Sequence, residues 1–471
     1  MYGHAWRSTV IDLVPHPFRY PLRLVVSVSF SVIVLAASLH AGVGGFGNRG
    51  AVGGVMIDAA GVVRTATVEE ENNLAQLVRQ RTAEPEGELD EATELRMVSL
   101  KGLQQAIATS KAAEEVLPTE VEYLAGLQRI QYVFVDQENQ DIVIAGPAEP
   151  WMVRDDGSVV GKVSGGSTMR LADMMAAFQS LDTARREGIT CSIEPTAEGR
   201  RRLQQFLRRV KLRPGQNPSV FEDSMKEAFG PQTIQLTGVD SETRFARTLV
   251  AADYQMKRLA MALRPSPVKS LPSYLDMSKN SRQSANQNPR WWMACNYDAL
   301  SKSEDGLTWK LSGQGVKTLT EQDIVQADGT VKGAGNQDKL AKQWAQKMTD
   351  SYAELSKEIS VFADLQNLMD LSVVATLINE EKLDDTADID LSVLKGNEGA
   401  VQLTSFTVPK AVDPQCSFVR GRTGWTVTAS GGVEINAHAV IRNQAPDDQI
   451  GAVRTDSLAT NGSDRWWWNQ R

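Results

Sequence analysis

Histidine is almost missing from this sequence: four occur in 471 residues, and three of them, His4, His16 and His40, lie within the first forty. Beyond that stretch only His438 remains, so two-histidine chemistry within one chain is excluded, including H-E-x-x-H metalloproteases and multi-His zinc sites. A Ser-His-Asp or Cys-His arrangement would have to be built on His438 alone. Cysteine is nearly as scarce. Cys191, Cys295 and Cys416 are far apart and odd in number, which allows at most one disulfide and rules out a disulfide-built scaffold. Aromatic residues make up 6%, ten of them Trp, so large anchors are few.

What is present reads as an ordinary globular composition, 42% hydrophobic and 23% charged, in a chain long enough for two or three domains. The first forty residues are the exception. Arg7, Arg19 and Arg23 form a positive n-region, and LVVSVSFSVIVLAASL (24–39) runs sixteen residues without a charge. A membrane span needs about twenty apolar residues, so residues 1–41 read as a secretory signal ending at Ala41, with an uncleaved anchor as the alternative. This segment holds three basic residues and one acid, Asp12. The remainder then has 47 Lys plus Arg against 57 Asp plus Glu, a net charge of −10, which argues against a general nucleic-acid binder.

GVGGFGNRG (42–50) matches G-x-G-x-x-G twice, but a dinucleotide loop needs a core strand before it and a helix after it. Here an export signal precedes it and a hairpin follows, so 42–52 reads as a spacer. GSVVGKV (157–163) is one residue short of a P-loop, and Val163 stands where the magnesium-binding hydroxyl belongs; it reads as a hairpin turn. Ser266-Pro-Val-Lys269 fits S-x-x-K without the helix start that such enzymes need. Cys191 lies in the apolar run 189–193 and reads as core; Cys416, in a polar loop and near His438 in sequence, is the more plausible reactive thiol, but an unpaired structural cysteine is the favoured reading. Glu380, Glu381, Asp384, Asp385, Asp388 and Asp390 are the densest acidic set, without EF-hand spacing, and read as a solvated loop.

Local patterning predicts the elements. VGGVMIDAAGVVRTAT (52–67) is a hairpin with an Ala-Ala-Gly turn. The acids of 84–94 are expected to open a helix whose stripe is Met97, Leu100, Leu103 and Ile107. Pro118 starts a short helix; IQYVFVD and DIVIAGP pair as a hairpin; Leu171–Ala184 is helical; ITCSIEP and QTIQLTGV are strands. Phe245, Leu249, Ala252, Met256, Leu259 and Leu263 form a heptad seam on a helix capped at Asp240. Residues 265–289, rich in Pro, Ser and Asn, read as the linker between two domains. After it, Asp305-Gly306 turns a hairpin, Trp291 and Trp292 straddle a sheet, Gln337–Glu358 is helical, and the helix Val361–Glu381, apolar nearly all round, is expected to be buried. GGVMIDAAGVVR (53–64) and GGVEINAHAVIR (431–442) share seven of twelve residues, which suggests a duplicated hairpin, with the two copies side by side.

Arg200, Arg201, Arg202, Arg208, Arg209, Lys211 and Arg213 place seven basic residues within fourteen of an otherwise acidic chain. They are either the solvated face of a helix packed through Leu203, Phe206 and Leu207, or a binding face for an anionic polymer or lipid head group.

Several phrases are specific beyond composition: EYLAGLQRIQYVFVDQENQDIVIAGPAEPW (122–151), GITCSIEPTAEG (188–199), FARTLVAADYQMKRLAM (245–261), RWWMACNYDAL, EDGLTWKLSGQGVK and VFADLQNLMDLSVVATLI. Over residues 53–447 the chain resembles a planctomycete family of predicted secreted proteins, a domain of unknown function (fifteen ninety-eight). That resemblance implies an extracytoplasmic, bacterial-envelope setting and transfers no catalytic residue.

The expected class is α+β, antiparallel hairpins and sheets packed by helices. The expected organisation is a signal (1–41), a Gly-rich spacer (42–52), a domain (53–264), a linker (265–289), a second domain with two consecutive helices (290–447), and a polar tail (448–471). The expected function is a secreted or periplasmic envelope protein acting by binding or assembly, more a binder than an enzyme. Its expected partner is an envelope protein or polymer, with no nucleic acid, no cofactor and no metal, and with membrane contact only through an uncleaved N-terminal segment. The alternatives are a glycan-directed hydrolase using carboxylates and a polyanion-binding module.

Overall fold

A computed structural model describes residues 51–211, 216, 218–278, 287–325, 331–333, 339–397, 404–417, 419–420, 425–426, 428–459 and 465–470. The signal segment, the glycine run 42–50 and Arg213 lie outside the described residues. The fold is mixed helix and strand, with a nine-stranded and a seven-stranded sheet.

The nine-stranded sheet runs in the order Val55–Ile57, Val62–Thr65, Ala411–Val412, Gln232–Thr237, Ile189–Pro195, Ser430–Ile435, Gln287–Asn296, Gly315–Val325, Val331–Gly333. Its pairs are antiparallel except where Ser430–Ile435 lies parallel to Gln287–Asn296 and Ala411–Val412 parallel to Val62–Thr65. Ile189, Cys191 and Ile193 face the core in strict alternation. The seven-stranded sheet is Gln444–Pro446, Leu300–Lys302, Thr308–Lys310, Tyr132–Asp136, Asp141–Ala148, Thr93–Ser99, Trp467–Asn469.

Both sheets take strands from each side of 265–289, and Gly42–Arg471 is one compact unit. The stretch expected to separate two domains instead contributes buried Val268, Leu271, Tyr274 and Leu275, and the Pro272 carbonyl accepts from the Trp344 indole at 3.0 Å. Its polar composition misled because the few apolar residues are spaced to enter the core.

Three other expectations are corrected. Thr93–Ser99 is a strand, and the helix begins at Leu100, where the Ser99 hydroxyl accepts from Gly102 N at 2.9 Å. Met97 therefore belongs to the sheet, and the acids before it cap nothing. The seam helix Arg244–Ala260 is capped by Thr243, whose Oγ1 accepts from Ala246 N at 3.1 Å. Residues 448–471 are no free tail: helix Ile450–Ala459 is followed by Trp467–Asn469, which pairs with Thr93–Ser99, and Trp468 donates to Ser457 O at 2.9 Å.

The two copies of the repeat share the nine-stranded sheet but stand four strands apart, and only the first is a hairpin. Asp58 and its counterpart Asn436 both use a side-chain oxygen to accept from backbone N–H groups just ahead. The copies then diverge. Gly61 turns the first at φ +85, whereas the equivalent Ala439 disfavours a left-handed backbone. The second copy therefore winds into helix Ala437–Ile441. Gly431 and Gly432 are required by close approach: a Cβ would lie 1.5 Å from Trp291 O at the first and 1.8 Å from Cys191 O at the second.

The long helix Ser360–Glu380 is apolar enough to cross a membrane, yet 94% of its most apolar window is buried inside the fold. Its polar residues are pins. Asp364 receives Arg244, Asn367 donates to Ser167 O at 2.9 Å, and Asp370 receives Arg129, Tyr297 and Ile130 N. The seam helix carries a second buried pair, in which the Lys257 ammonium donates to Asp253 at 2.9 Å, Ile193 O at 2.7 Å and Gly431 O at 3.1 Å.

Breaking a buried pair strands the other charge, at a cost of about 3–5 kcal/mol. Lys257→Met should lose that amount in urea denaturation, and Asp253→Asn added to it should recover part. A single variant as stable as the parent would show that the pair does not join helix to sheet.

Candidate functional site

The chain carries many buried charges, so the first question is which of them the fold consumes. Arg244 lies between Asp173 and Asp364, and Ser167 donates to Asp364 as well. Burial pushes the Asp173 carboxyl up, against the pull of Arg244. Arg129 holds Asp370 at 2.5 Å, and the Tyr297 hydroxyl donates to the same carboxylate at 2.6 Å. Arg96 donates to Ala125 O, Glu88 O and Asn469. These groups join segments distant in sequence and are structural.

The residues expected in a solvated acidic loop are largely engaged too. Glu381 pairs with Lys302 at 2.9 Å, Asp384 with Lys395 at 2.9 Å, Asp388 accepts from Gln140, and Asp390 from Ser392. Among the described residues no group of three or more His, Cys, Asp or Glu could hold a metal ion. GSVVGKV is a hairpin joining Trp151–Val153 to Val159–Gly161, with Lys162 on Asp90 at 2.8 Å. Ser266 closes a turn on Val268.

The basic helix is Ala197–Arg209, capped by Thr196, with Arg208 and Arg209 in the last turn where the dipole favours them. Leu203 with partly buried Phe206 and Leu207 packs on helix Glu222–Phe229 through Met225 and Phe229. Arg200 reaches Pro195 O, and Arg202 reaches Glu198 and Ala228 O. Arg201, Arg208, Arg209 and Lys211 are exposed, and among the described residues no ion pair engages them.

Cys416 is placed as an unpaired structural cysteine, and its position does not suit a reactive thiol. It is 1% exposed beneath Leu203, Met225 and Phe229, and burial pushes its pKa up to about 12. Burial also raises Cys295 to about 12 and lifts Cys191 well above the usual thiol range. All three are free.

A cleft of about 510 Å³ opens between helices Leu181–Glu187, Ser360–Glu380 and Ala437–Ile441, where strands Ile189–Pro195 and Ser430–Ile435 begin and end. Ala177, Leu181, Ile189 and Ile441 supply an apolar lining. Around it stand Arg185, Thr376, Glu380, Glu434, His438 and Arg442. Thr376 is 4% exposed, yet its hydroxyl makes no hydrogen bond among the described residues. The same holds for the His438 ring and the Glu434 carboxylate. Arg442 spends only Nε, on His438 O at 3.1 Å, and Arg185 meets Glu380 at a loose 3.3 Å. A second cavity, about 280 Å³, shares Glu434 and Asn436 with the cleft and is lined by Trp292. Its neighbour Trp291 is buried against Tyr274 and Trp344, so the pair straddles the sheet.

Of these residues, only His438 and Glu380 stood out in the sequence. Thr376, Arg185, Glu434 and Arg442 come from separate segments of mixed polarity, and the one available signal was the polar stripe in an otherwise apolar helix.

The raised thiols carry a direct consequence, since thiolate is the reacting form. At pH 8 the native protein should release less than one equivalent from an aromatic disulfide reagent, and three after denaturation in guanidinium. Rapid native labelling of Cys416 would overturn its burial.

Residues 191–274 match a family model described as "Protein of unknown function (DUF1598)". The match runs from the middle of strand Ile189–Pro195, through the basic helix and the seam helix, to Tyr274. Comparison with curated proteins and with solved structures finds no match. What can be said of identity is therefore that this stretch is similar to a family of unknown function, and that the cleft must speak for itself.

Proposed function

We propose that this chain is an extracytoplasmic cell-envelope protein that works by binding, with the cleft around His438 as its recognition site. One observation carries this reading. Buried carboxylates elsewhere pair with arginines and a lysine, while one cleft of ligand size is lined by the buried Thr376 hydroxyl, the half-buried His438 ring and the exposed Glu434 carboxylate, which no protein group engages among the described residues. The envelope setting rests on the positive n-region and the apolar run of residues 1–41.

Glu380 and Glu434 both line the cleft, and this pair is what a glycan hydrolase would use. The two readings separate experimentally. Ala184→Trp fills the cleft from its wall. In a thermal-shift screen of small charged metabolites, a ligand at a hundred times its Kd stabilises the parent by about 2.7 kcal/mol, and the filled variant should not respond. Hits that stabilise both proteins equally would move the site elsewhere. Glycan turnover abolished by Glu434→Gln would replace binding with hydrolysis.

A polyanion-binding role for the basic helix is the second reading, favoured by the exposure of Arg201, Arg208, Arg209 and Lys211 without ion-pair partners among the described residues. Arg200 and Arg202 are tied to neighbouring groups and contribute less. Replacing Arg201, Arg208 and Arg209 with Ser should lower the salt needed for elution from an anionic column. Unchanged retention would remove this reading and leave the cleft untouched.

A further inference from the structure

We infer that the cleft takes a small zwitterion: a free amino acid or short peptide with an unblocked carboxylate, an unblocked ammonium and an aliphatic side chain. The inference rests on the cleft being the recognition site and adds the class of ligand. Three features of the lining select it.

The cationic side comes first. Arg442 is anchored through Nε alone, which leaves the outer edge of its guanidinium for a planar acceptor. Arg185 is 63% exposed and holds Glu380 only at 3.3 Å, a contact that an incoming carboxylate can replace at little cost. Guanidinium groups bind carboxylates in paired hydrogen bonds with defined geometry. The anionic side is Glu434, which has no ion pair among the described residues, and His438 belongs to the same lining. A ligand carrying only negative charge would meet both Glu380 and Glu434, and like charges at close quarters cost binding energy. A ligand carrying only positive charge would meet both arginines. A ligand with one of each satisfies both sides.

The third feature is the floor. Ala177, Leu181, Ile189 and Ile441 are small or aliphatic, and no Phe, Tyr or Trp is among the described lining residues. That surface suits an aliphatic side chain and offers no aromatic face on which a sugar ring could stack. Thr376, nine-tenths buried and without a partner, supplies a hydroxyl at the cleft wall for the ligand's amide or carboxylate.

The test uses the full chain and isothermal titration with Ala-Leu, its N-acetyl form, its C-terminal amide and the doubly capped peptide. Free leucine separates amino acid from peptide, and N-acetylglucosamine and pyrophosphate represent the sugar and polyanion classes. The free dipeptide or leucine should bind. Each cap should weaken binding on the order of tenfold, the worth of one charge-assisted hydrogen bond. Arg442→Gln should bring the free dipeptide down to the affinity of its amide while leaving the amide unchanged. Glu434→Gln should do the same for the acetylated form. Both positions are exposed, and unchanged melting curves will confirm that the variants fold. Equal binding of capped and free peptides overturns the inference. So does preference for the sugar or for pyrophosphate blocked by Ala184→Trp, an outcome that keeps the cleft as the site. If no compound in the wider metabolite screen responds to Ala184→Trp, the cleft reading falls, and the zwitterion with it.

Discussion

The three hydrogen bonds of the Lys257 ammonium hold together parts of the chain that nothing local would bring into register. One goes to Asp253 on the same helix, one to Ile193 O and one to Gly431 O, so a single buried cation fixes the seam helix to two adjacent central strands. Desolvating an ammonium costs several kcal/mol. That cost is offset only because all three of its donors find oxygen. The arrangement in turn requires glycine at 431, since a side chain there would collide with the Trp291 carbonyl. Strand Ser430–Ile435 is thereby set in one position, and the chain that leaves it at Asn436 must place His438, Ile441 and Arg442 where they stand. The cleft follows from the staple.

A similar economy governs the long helix. A helix buried on every side has no solvent face to carry polar residues, so each polar residue on it needs an assigned partner. Asp364, Asn367 and Asp370 have theirs, drawn from segments 120, 200 and 241 residues earlier. Ser372 falls back on Leu368 O, one turn up its own helix. Thr376, one turn further on, has neither a tertiary partner nor a helical one, and it is there that the cleft opens.

Much of the fold was legible in sequence wherever the determinant is local. Two apolar runs about a polar turn wrote the hairpin 132–148, alternation wrote the strand 189–195, the heptad wrote the seam helix, and unbroken apolarity wrote the long helix. The misreadings have physical causes. Met97, Leu100, Leu103 and Ile107 keep helical spacing although a strand ends between the first two, because the end of that strand is buried on both faces and so offers a buried residue at any step. The final tryptophans looked like an exposed tip since nothing local states that Thr93–Ser99 needs a partner on its outer edge. Residues 265–289 looked like a linker by composition, and only tertiary contacts reveal that Val268, Leu271 and Tyr274 are core. The cleft was the least legible part. Its residues converge through pairings across the whole chain, and Arg185 or Glu434 taken alone is an ordinary surface charge.

The two binding readings also differ in what stabilises them. The cleft is walled by the main core, which spans residues from Val55 to Trp467 in one continuous cluster. The basic helix rests on a separate, small cluster of Leu203, Met225, Phe229 and Cys416. Elements with few buried apolar contacts open locally at free energies below global unfolding. The basic helix and its neighbour are therefore the more easily displaced unit, and an anionic surface that engaged Arg201, Arg208 and Arg209 would act on that unit. The cleft, built on the stapled strands and the pinned helix, stays preformed. Preformed sites lose little ordering entropy on binding and suit small ligands, while a face on a loosely held helix suits an extended, low-specificity partner. If both surfaces bind as proposed, they differ in stiffness, and selectivity belongs to the stiffer one.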